Sequence, residues 1–411
     1  MMRTAVPASG PGPVSGLSVR AQTTFLVFWV AYLVGSVFYV LKSGLPQPSD
    51  FILAFAILTI LSGVIVRVPV FRELYLVGAV TIVWFVLVNF MWFGMLGDVR
   101  FALSSLYYIY NFAIIVTIIT MFTHLGDTFI SVTRAALLVA IMIEFVAVLV
   151  LGGDEVRGVG TFNNPNQLGF WVLLVTASWA VLKGERRLTG LDLLLFGLNA
   201  YLVMKSLSKA AISTFFLLLM LIAVFQWFEG RWRWGLLCAA YVAATIWLLQ
   251  PEKVDSLLSE GLVAKVTNHF DGALNEADST PEGRGYDRIW LYPEYLFFGA
   301  GEGDFARFTN KSGDKGVEMH STWGTILFSY GIVGLTFFMM TLFVIFRHAP
   351  VSHWMYFFPV ALYGVTHQGL RFSMGWVFFG LVFGMTYEAT KNRTRRASAA
   401  VPMSTGQGLP R

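Results

Sequence analysis

The sequence predicts an all-α integral membrane protein of about twelve transmembrane helices, with one long polar loop between the ninth and the tenth helix. Of the 411 residues, 56% are hydrophobic and only 13% are charged, whereas about a quarter of the residues of a soluble globular protein are charged. Apolar runs long enough to cross a bilayer recur along the chain. A single polar segment, Gln250 to Ser321, interrupts them.

Two polar tails flank the predicted bundle. Residues 1–22 are rich in Gly, Pro and Ser and are predicted to be a disordered tail. The apolar run that follows lacks a small-residue cleavage site, which predicts a retained first span and no removed signal peptide. Residues 389–411 form a basic tail that is also predicted to be disordered. The remaining divisions are helices 1–9 (23–249), the polar loop (250–321) and helices 10–12 (322–388).

The order and orientation of the spans follow from hydropathy and from the positive-inside rule. The candidate spans are 23–41, 51–66, 75–95, 102–122, 135–151, 166–182, 190–204, 210–227, 234–249, 322–346, 354–366 and 372–388. With the N-terminus inside, most Lys and Arg residues between spans fall on the inner side. The short outer segments then hold only Lys42, Arg100, Arg157, Lys205, Lys209 and Arg371. Both termini are predicted to be cytoplasmic, and the long loop lies outside.

Composition also limits the chemistry that we expect. The single cysteine, Cys238, allows no intramolecular disulfide. No Cys/His spacing suits zinc and no Asp-rich motif suits a divalent cation, so no metal and no cofactor are expected. The net charge of +5 is modest. In a membrane protein such a charge reports topology, so no nucleic-acid partner is expected.

A helix-capping sequence precedes the sixth span. Asn164 is well placed as an N-cap, with Pro165 at the first helical position. The helix would then begin at the outer surface with its unpaired backbone N–H groups pointing outward, which is a suitable anion site. Asn164 and Asn166 are therefore candidate substrate-binding residues. The alternative is a well-made cap without a ligand.

Two lysines lie at an outer end against the positive-inside bias. Lys209 also falls at a helix N-terminus, where a cation is unfavourable by several tenths of a kcal/mol. An anionic ligand would remove both objections, so Lys205 and Lys209 are candidate ligand contacts. The alternative is that both side chains extend to lipid phosphates.

Two arginines of the polar loop are spaced four residues apart. Arg284 and Arg288 would lie on one face of a helix that begins near Pro281. Guanidinium groups bind phosphate oxygens in a bidentate manner, so this face suits a pyrophosphate. The alternative is local pairing with Asp287 or Glu294.

A glycine run and a histidine complete the candidate site. Gly301 and Gly303 allow tight backbone turns, but no strand precedes them and no Lys-Ser/Thr follows, so they do not form a nucleotide-binding loop. His320 stands where the loop meets the tenth span. A histidine beside arginines at this junction is a candidate general base, and the alternative is a structural role.

These groups together resemble the bacterial O-antigen ligase and O-antigen polymerase superfamily over roughly residues 50–390. The matching pieces are Phe162-Asn163-Asn164-Pro165-Asn166, Ser206-Leu207-Ser208-Lys209-Ala210, Arg288-Ile289-Trp290, Gly299-Ala300-Gly301-Glu302-Gly303 and His320-Ser321 followed by Tyr330-Gly331-Ile332-Val333-Gly334-Leu335.

The resemblance implies a glycosyltransferase with a GT-C-like architecture in the bacterial inner membrane, whose long loop is periplasmic. The implied donor is a glycan on undecaprenyl pyrophosphate. The implied acceptor is a sugar hydroxyl on the lipid A core or on a second lipid-linked glycan. His320 matches the family's proposed base, and Arg288 matches a family arginine that holds the pyrophosphate. Lys209 stands where the family more often has arginine, which keeps the charge but loses the bidentate fork.

A different class of function remains open from the residues alone. Glu144 lies within the fifth predicted span, and an intramembrane acid is a functional candidate by default. It would serve a secondary transporter or flippase of a lipid-linked or polar solute. The clustering of charges at one face, away from the bilayer midplane where transporter sites lie, argues against that alternative.

Overall fold

The structure is a computed structural model that describes residues 18–42, 44–61, 71–151, 158–184, 186–228, 284–309 and 318–399, with a few isolated positions at 230–240 and at 316. Within these ranges the chain is helical and contains no β-strand. The α-helices are α1 (Val19–Gly35), α2 (Pro48–Leu61), α3 (Arg72–Leu96), α4 (Val99–Leu125), α5 (Asp127–Leu151), α6 (Pro165–Lys183), α7 (Gly190–Ser206), α8 (Lys209–Phe228), α9 (Arg288–Leu291), α10 (Thr322–Phe346), α11 (Val351–Thr366) and α12 (Ser373–Ala399).

The predicted all-α membrane class agrees with this architecture. Six of the described helices, α3, α4, α5, α6, α8 and α10, are long and apolar enough to cross a membrane. The shorter apolar helices α1 and α2 fall on the first two predicted spans. The predicted ninth span (234–249) lies almost wholly outside the described residues, as does the loop from 250 to 283. The count of twelve spans and the GT-C-like architecture therefore stay predictions.

The first and last helices extend into the two segments that were predicted to be disordered tails. α1 begins at Val19, where the Ser18 side chain accepts a hydrogen bond from the Ala21 N–H at 3.2 Å. This cap starts the first helix within the predicted tail 1–22. α12 continues to Ala399, within the predicted tail 389–411, and the Thr390 hydroxyl donates to the Thr386 carbonyl at 3.0 Å. Lys, Arg and Ala are good helix formers, so polarity alone did not locate the end of this helix.

Helix α10 is interrupted near its middle, at Gly331, whose φ is 71° and ψ is −179°. The carbonyls of Phe328 and Ser329, just before this break, accept hydrogen bonds from the N–H groups of Ala300 (2.9 Å) and Gly301 (2.8 Å). Non-helical backbone inside a membrane protein requires such partners. Residues 297–303, here named the inserted segment, therefore pack beside α10 within the bundle.

Close backbone contact explains the glycines at this junction. A Cβ atom on Gly299 would overlap the backbone of Ser329, and one on Gly331 would overlap the backbone of Phe297. Both glycines also have positive φ values, 101° and 71°, that L side chains rarely adopt. The Trp84 indole N–H donates to the Tyr330 carbonyl at 2.9 Å and satisfies a further group near the break.

Several loops and helix ends meet at one end of the bundle, here named the site end. A Cβ on Gly169, in the first turns of α6, would press against Ala211 of α8. The Tyr363 hydroxyl, near the end of α11, donates to the Asn166 carbonyl at 2.9 Å. The Thr322 N–H, at the start of α10, donates to the His367 carbonyl at 3.0 Å. Thus the starts of α6, α8 and α10 adjoin the end of α11.

The opposite end of the bundle has its own polar contacts. Asp192 of α7 is fully buried and pairs with Lys183 of α6 at 2.5 Å. Asp192 also accepts from the Trp179 indole at 2.8 Å and from the Thr189 N–H at 2.6 Å. These bonds join the end of α6 to the start of α7. They satisfy a buried carboxylate that would otherwise be costly.

Gly299→Ala is expected to destabilise the protein, because the new Cβ overlaps α10 and the φ of this residue suits only glycine. The expected loss is about 1–3 kcal/mol, seen as a lower midpoint of thermal unfolding in detergent. Gly94→Ala is the matched control: it lies on α3 with open space around it and should be neutral or more stable by about 1 kcal/mol. Equal midpoints for the two variants would contradict the packing described here.

Candidate functional site

A cavity of about 270 Å³ lies at the site end of the bundle. Its walls come from the α1–α2 connection, α2, α4, the start of α6, the residues before α10, the end of α11 and the α11–α12 connection. The lining residues are Tyr39, Gly44, Leu45, Gln47, Asp50, Tyr107, Asn164, Asn166, Gln167, Phe170, Glu318, His320, Tyr363, His367, Gln368, Arg371, Phe372 and Ser373. Three predicted site residues, His320, Asn164 and Asn166, are among them.

The position of His320 is fixed by the backbone on both sides. Its N–H donates to the Arg284 carbonyl at 3.1 Å. The next residue, Ser321, is the N-cap of α10, and its hydroxyl accepts from the Gly324 N–H at 3.0 Å. The imidazole itself is exposed and lines the cavity. A histidine in such a place is accessible to a bound ligand and is suited to proton transfer.

The predicted cap at Asn164 is confirmed. The Asn164 side chain accepts from the Asn166 N–H at 2.8 Å, and Pro165 occupies the first turn of α6. Both asparagines line the cavity. The start of α6 therefore lies at the same cavity as His320. The expected anion site is not formed by its first N–H groups, because those of Asn166 and Gln167 already donate to Asn164.

The most extensive polar network of the site surrounds Glu302, which lies in the inserted segment and is fully buried. Its Oε1 accepts from Arg371 Nε at 2.8 Å and pairs with Arg371 Nη2 at 2.6 Å. Its Oε2 accepts from the hydroxyls of Tyr330 (2.8 Å) and Tyr108. Gln368 Nε2 also donates to Oε1, at 3.4 Å. Both carboxylate oxygens are thus paired, which offsets the cost of burying the charge.

The backbone of Glu302 is held as firmly as its side chain. Its N–H donates to the Asn89 side chain of α3 at 2.8 Å, and its carbonyl accepts from the Ser104 hydroxyl of α4 at 2.8 Å. Asn89 in turn donates to the Tyr330 hydroxyl at 3.2 Å. The inserted segment is therefore fixed against α3, α4 and α10 at once.

Arg371 connects this buried network to the cavity. It lines the cavity, and its Nη2 also pairs with Glu318 Oε1 at 3.2 Å. Burial lowers the pKa of Arg371, but the Glu302 and Glu318 carboxylates outweigh it and raise the pKa above its ordinary value. The guanidinium consequently stays charged in the wall of the cavity.

The predicted cation Arg284 lies close to the cavity without lining it. Its Nη1 donates to the Thr366 carbonyl at 2.6 Å, at the end of α11. Arg288 is in a different position: only 2% of it is exposed, and its guanidinium carbon lies 5.9 Å from the ring centre of Phe305 and 5.6 Å from that of Phe308. Burial lowers the pKa of Arg288, and the nearby Asp287 opposes this shift. The structure therefore does not bring Arg288 together with His320 in one cavity.

The remaining predicted residues fall near the cavity or behind it. Lys209 begins α8 at the site end, and Lys205 lies in the last turn of α7 with its Nζ 5.9 Å from the Tyr201 ring centre. Neither lines the cavity. Gly301 and Gly303 pack against Phe101, where a Cβ on either would come within 2.9 Å of the ring. These glycines bring the inserted segment close to α4 and do not line the cavity.

Glu144 has a hydrogen-bond partner that the sequence did not reveal. Its Oε2 accepts from the Thr161 hydroxyl at 2.5 Å, and its Oε1 accepts from the Thr161 N–H at 3.3 Å. The Thr161 hydroxyl also lies 2.5 Å from the Val37 carbonyl. Glu144 therefore joins α5 to the stretch before α6 and to the end of α1. It does not line the cavity.

Sequence reasoning missed Arg371, Glu318 and the role of Glu302. A signal for Arg371 was present, because it is one of the few cations of the outer segments, as Lys209 is. The residues that the structure describes contain no group of His, Cys, Asp or Glu side chains that could hold a metal ion. No family model and no curated protein matches this chain.

Glu302→Gln is expected to destabilise the protein strongly, because Arg371 would keep its charge without its buried partner. Breaking a buried pair in this way costs roughly 3–5 kcal/mol, measurable as a loss in the free energy of unfolding. Glu73→Gln is the control, since its pair with Arg347 at the opposite end is exposed and should contribute under about 1 kcal/mol. The double variant Glu302→Gln/Arg371→Met should lose less than the sum of the single losses. Additive losses would show that the two residues do not interact.

Proposed function

We propose that this protein transfers a glycan from undecaprenyl pyrophosphate to a sugar hydroxyl at the periplasmic face of the bacterial inner membrane. The observation that carries the proposal is the exposed imidazole of His320 in the wall of a polar, aromatic-lined cavity, at one end of an apolar helical bundle. Such a place allows a lipid-anchored donor to reach a base without leaving the membrane. A hydroxyl acceptor would enter the same cavity from the aqueous side.

His320 acts in this proposal as the general base. It takes the proton of the acceptor hydroxyl as that oxygen attacks the anomeric carbon of the donor sugar. The bond between this carbon and the pyrophosphate oxygen breaks, and the pyrophosphate leaves with the electron pair. A single displacement of this kind inverts the configuration at the anomeric carbon.

Cations at the site end would stabilise the leaving pyrophosphate. Arg284, bonded to the end of α11, and Lys209, at the start of α8, lie beside the cavity. Lys205, in the last turn of α7, is the third candidate. Such preorganised charge is usually the largest catalytic contribution in reactions that develop negative charge. Arg288, which the family resemblance favours for this contact, is buried among aromatic rings. Its support for the site would be through packing.

The identity of the acceptor distinguishes two forms of this function. A sugar of the lipid A core would make the protein an O-antigen ligase, and a second lipid-linked glycan would make it a polymerase. Both forms use the same base and the same leaving group. The glycan phenotype of a deletion strain distinguishes them, because a ligase mutant lacks all attached polymer and a polymerase mutant retains single repeats.

His320→Ala is expected to lower the rate of glycan transfer by roughly 10²–10⁴-fold, the usual contribution of a general base. The measurement is transfer from a lipid-linked glycan by the purified protein in detergent. His348→Ala is the matched control, because His348 is exposed at the opposite end of the bundle, after α10.

Equal transfer by the two histidine variants would refute the role of His320. The transporter alternative has its own outcome: proton-coupled uptake by the wild-type protein that Glu144→Gln abolishes, with no glycan transfer in either protein. That result would replace the enzymatic function with transport.

A further inference from the structure

The charged side chains of the cavity wall are mostly acidic. Among the described lining residues the carboxylates are Asp50 and Glu318, and the only guanidinium is Arg371. Directly behind Arg371 lies a third carboxylate, Glu302, at 2.6 Å. Arg371 is already paired with Glu302 and with Glu318, so its positive charge is compensated before any ligand arrives. Negative charge is therefore in excess in this wall.

The carboxylate of Asp50 is fixed as an acceptor. It accepts from the Gln47 N–H at 2.8 Å, from the Ser373 hydroxyl at 3.1 Å and from the Tyr110 hydroxyl at 3.3 Å. These donors hold the group in one orientation at the cavity wall. Carboxylate and amide oxygens accept hydrogen bonds from hydroxyl and amino groups, and such bonds to a charged acceptor are strong.

Aromatic rings supply the apolar part of the wall. Tyr39, Tyr107 and Phe372 line the cavity and are half-buried, so part of each ring is accessible. The rings of Tyr39 and Phe372 stack with centroids 6.2 Å apart and an interplanar angle of 15°. The Tyr107 hydroxyl donates to the Gly44 carbonyl at 2.6 Å, which fixes its ring. A wall of rings with a few placed polar groups is typical of small-molecule sites.

The cavity volume limits the size of the bound group. At about 270 Å³ it lies just below the range of roughly 300–1,000 Å³ that is usual for drug-sized ligands. It therefore has room for one sugar ring and not for an extended chain. The rest of a glycan would lie outside the cavity.

We propose that this cavity binds one sugar ring that is neutral or carries an amino group, and that it discriminates against rings that carry a carboxylate. This inference rests on the proposed function for identifying the ligand as a sugar. The selectivity rests on the wall itself. A carboxylate on the ligand ring would face Asp50 and Glu318. Arg371, the only guanidinium among the described lining residues, is already paired with Glu302 and Glu318. Unlike charges across a binding site attract and like charges exclude the wrong partner.

The discriminating experiment measures the binding of three small probes to the wild-type protein in nanodiscs of neutral lipid: methyl glucoside, glucosamine and glucuronate. Saturation-transfer NMR gives the affinities. Glucuronate is expected to bind about tenfold more weakly than the other two probes. The reason is that the wall carboxylates repel its carboxylate, and water screens this repulsion in part. Glu318→Gln should narrow this difference to about threefold or less, because it removes one carboxylate from the wall. Asp50→Asn is a second variant with the same expected direction.

Glu73→Gln removes one negative charge at the opposite end of the bundle and serves as the control. In this variant the affinities of the three probes should keep their wild-type order. Three outcomes would overturn the inference. The first is that glucuronate binds the wild-type protein as tightly as methyl glucoside. The second is that the preference for methyl glucoside over glucuronate is the same in Glu318→Gln and Asp50→Asn as in the wild-type protein. The third is that none of the three probes binds to the wild-type protein.

A transfer assay separates this inference from the proposed function. If the protein transfers glycan and glucuronate binds as tightly as the neutral probe, the function stands and the selectivity is wrong. If the probes bind in the expected order and no transfer occurs with any lipid-linked donor, the sugar site stands and the transferase function is wrong.

Discussion

The ion pair between Glu302 and Arg371 is the contact on which the site end depends. It joins the inserted segment to the α11–α12 connection, and the hydroxyls around Glu302 add α4 and α10 to the same network. A buried charge is tolerated only when its partners are complete. Here two tyrosines, an arginine and a glutamine supply them. Because Arg371 also lines the cavity, the network that stabilises the fold sets the charge of the candidate site.

The interruption of α10 at Gly331 allows the inserted segment, which carries Glu302, to pack against this helix. A continuous helix would leave no backbone carbonyls for residues 300 and 301, and Glu302 would then lack a defined position. Glycine at 299 and 331 permits the close contact of the two backbones. Thus an irregular feature, which lowers the intrinsic helicity of α10, places an acidic residue deep in an apolar bundle. The candidate site therefore depends on an interruption of α10 whose free carbonyls are satisfied by hydrogen bonds from the inserted segment.

Local sequence features predicted much of this arrangement, and long-range contacts explain the rest. Apolar runs indicate helices because hydropathy is a property of each segment, and the cap at Asn164 depends only on its neighbours. His320 was predicted to stand where the polar loop meets the tenth span, and in the structure it lies two residues before α10 and lines the cavity. The burial of Arg288 and the pairing of Arg371 with Glu302 depend on elements far apart in the chain. No spacing in the sequence reports such contacts.

The pairing of Glu302 with Arg371 also has a consequence for biogenesis. A chain is synthesised from its N-terminus, so Glu302 emerges before Tyr330 and well before Arg371. Until the α11–α12 connection is made, the acid has no cationic partner in the network and favours water over the bundle interior. The ion pair of this network can therefore form only after the α11–α12 connection has been synthesised. A chain that ends before residue 371 would leave the buried carboxylate of Glu302 without its cationic partner.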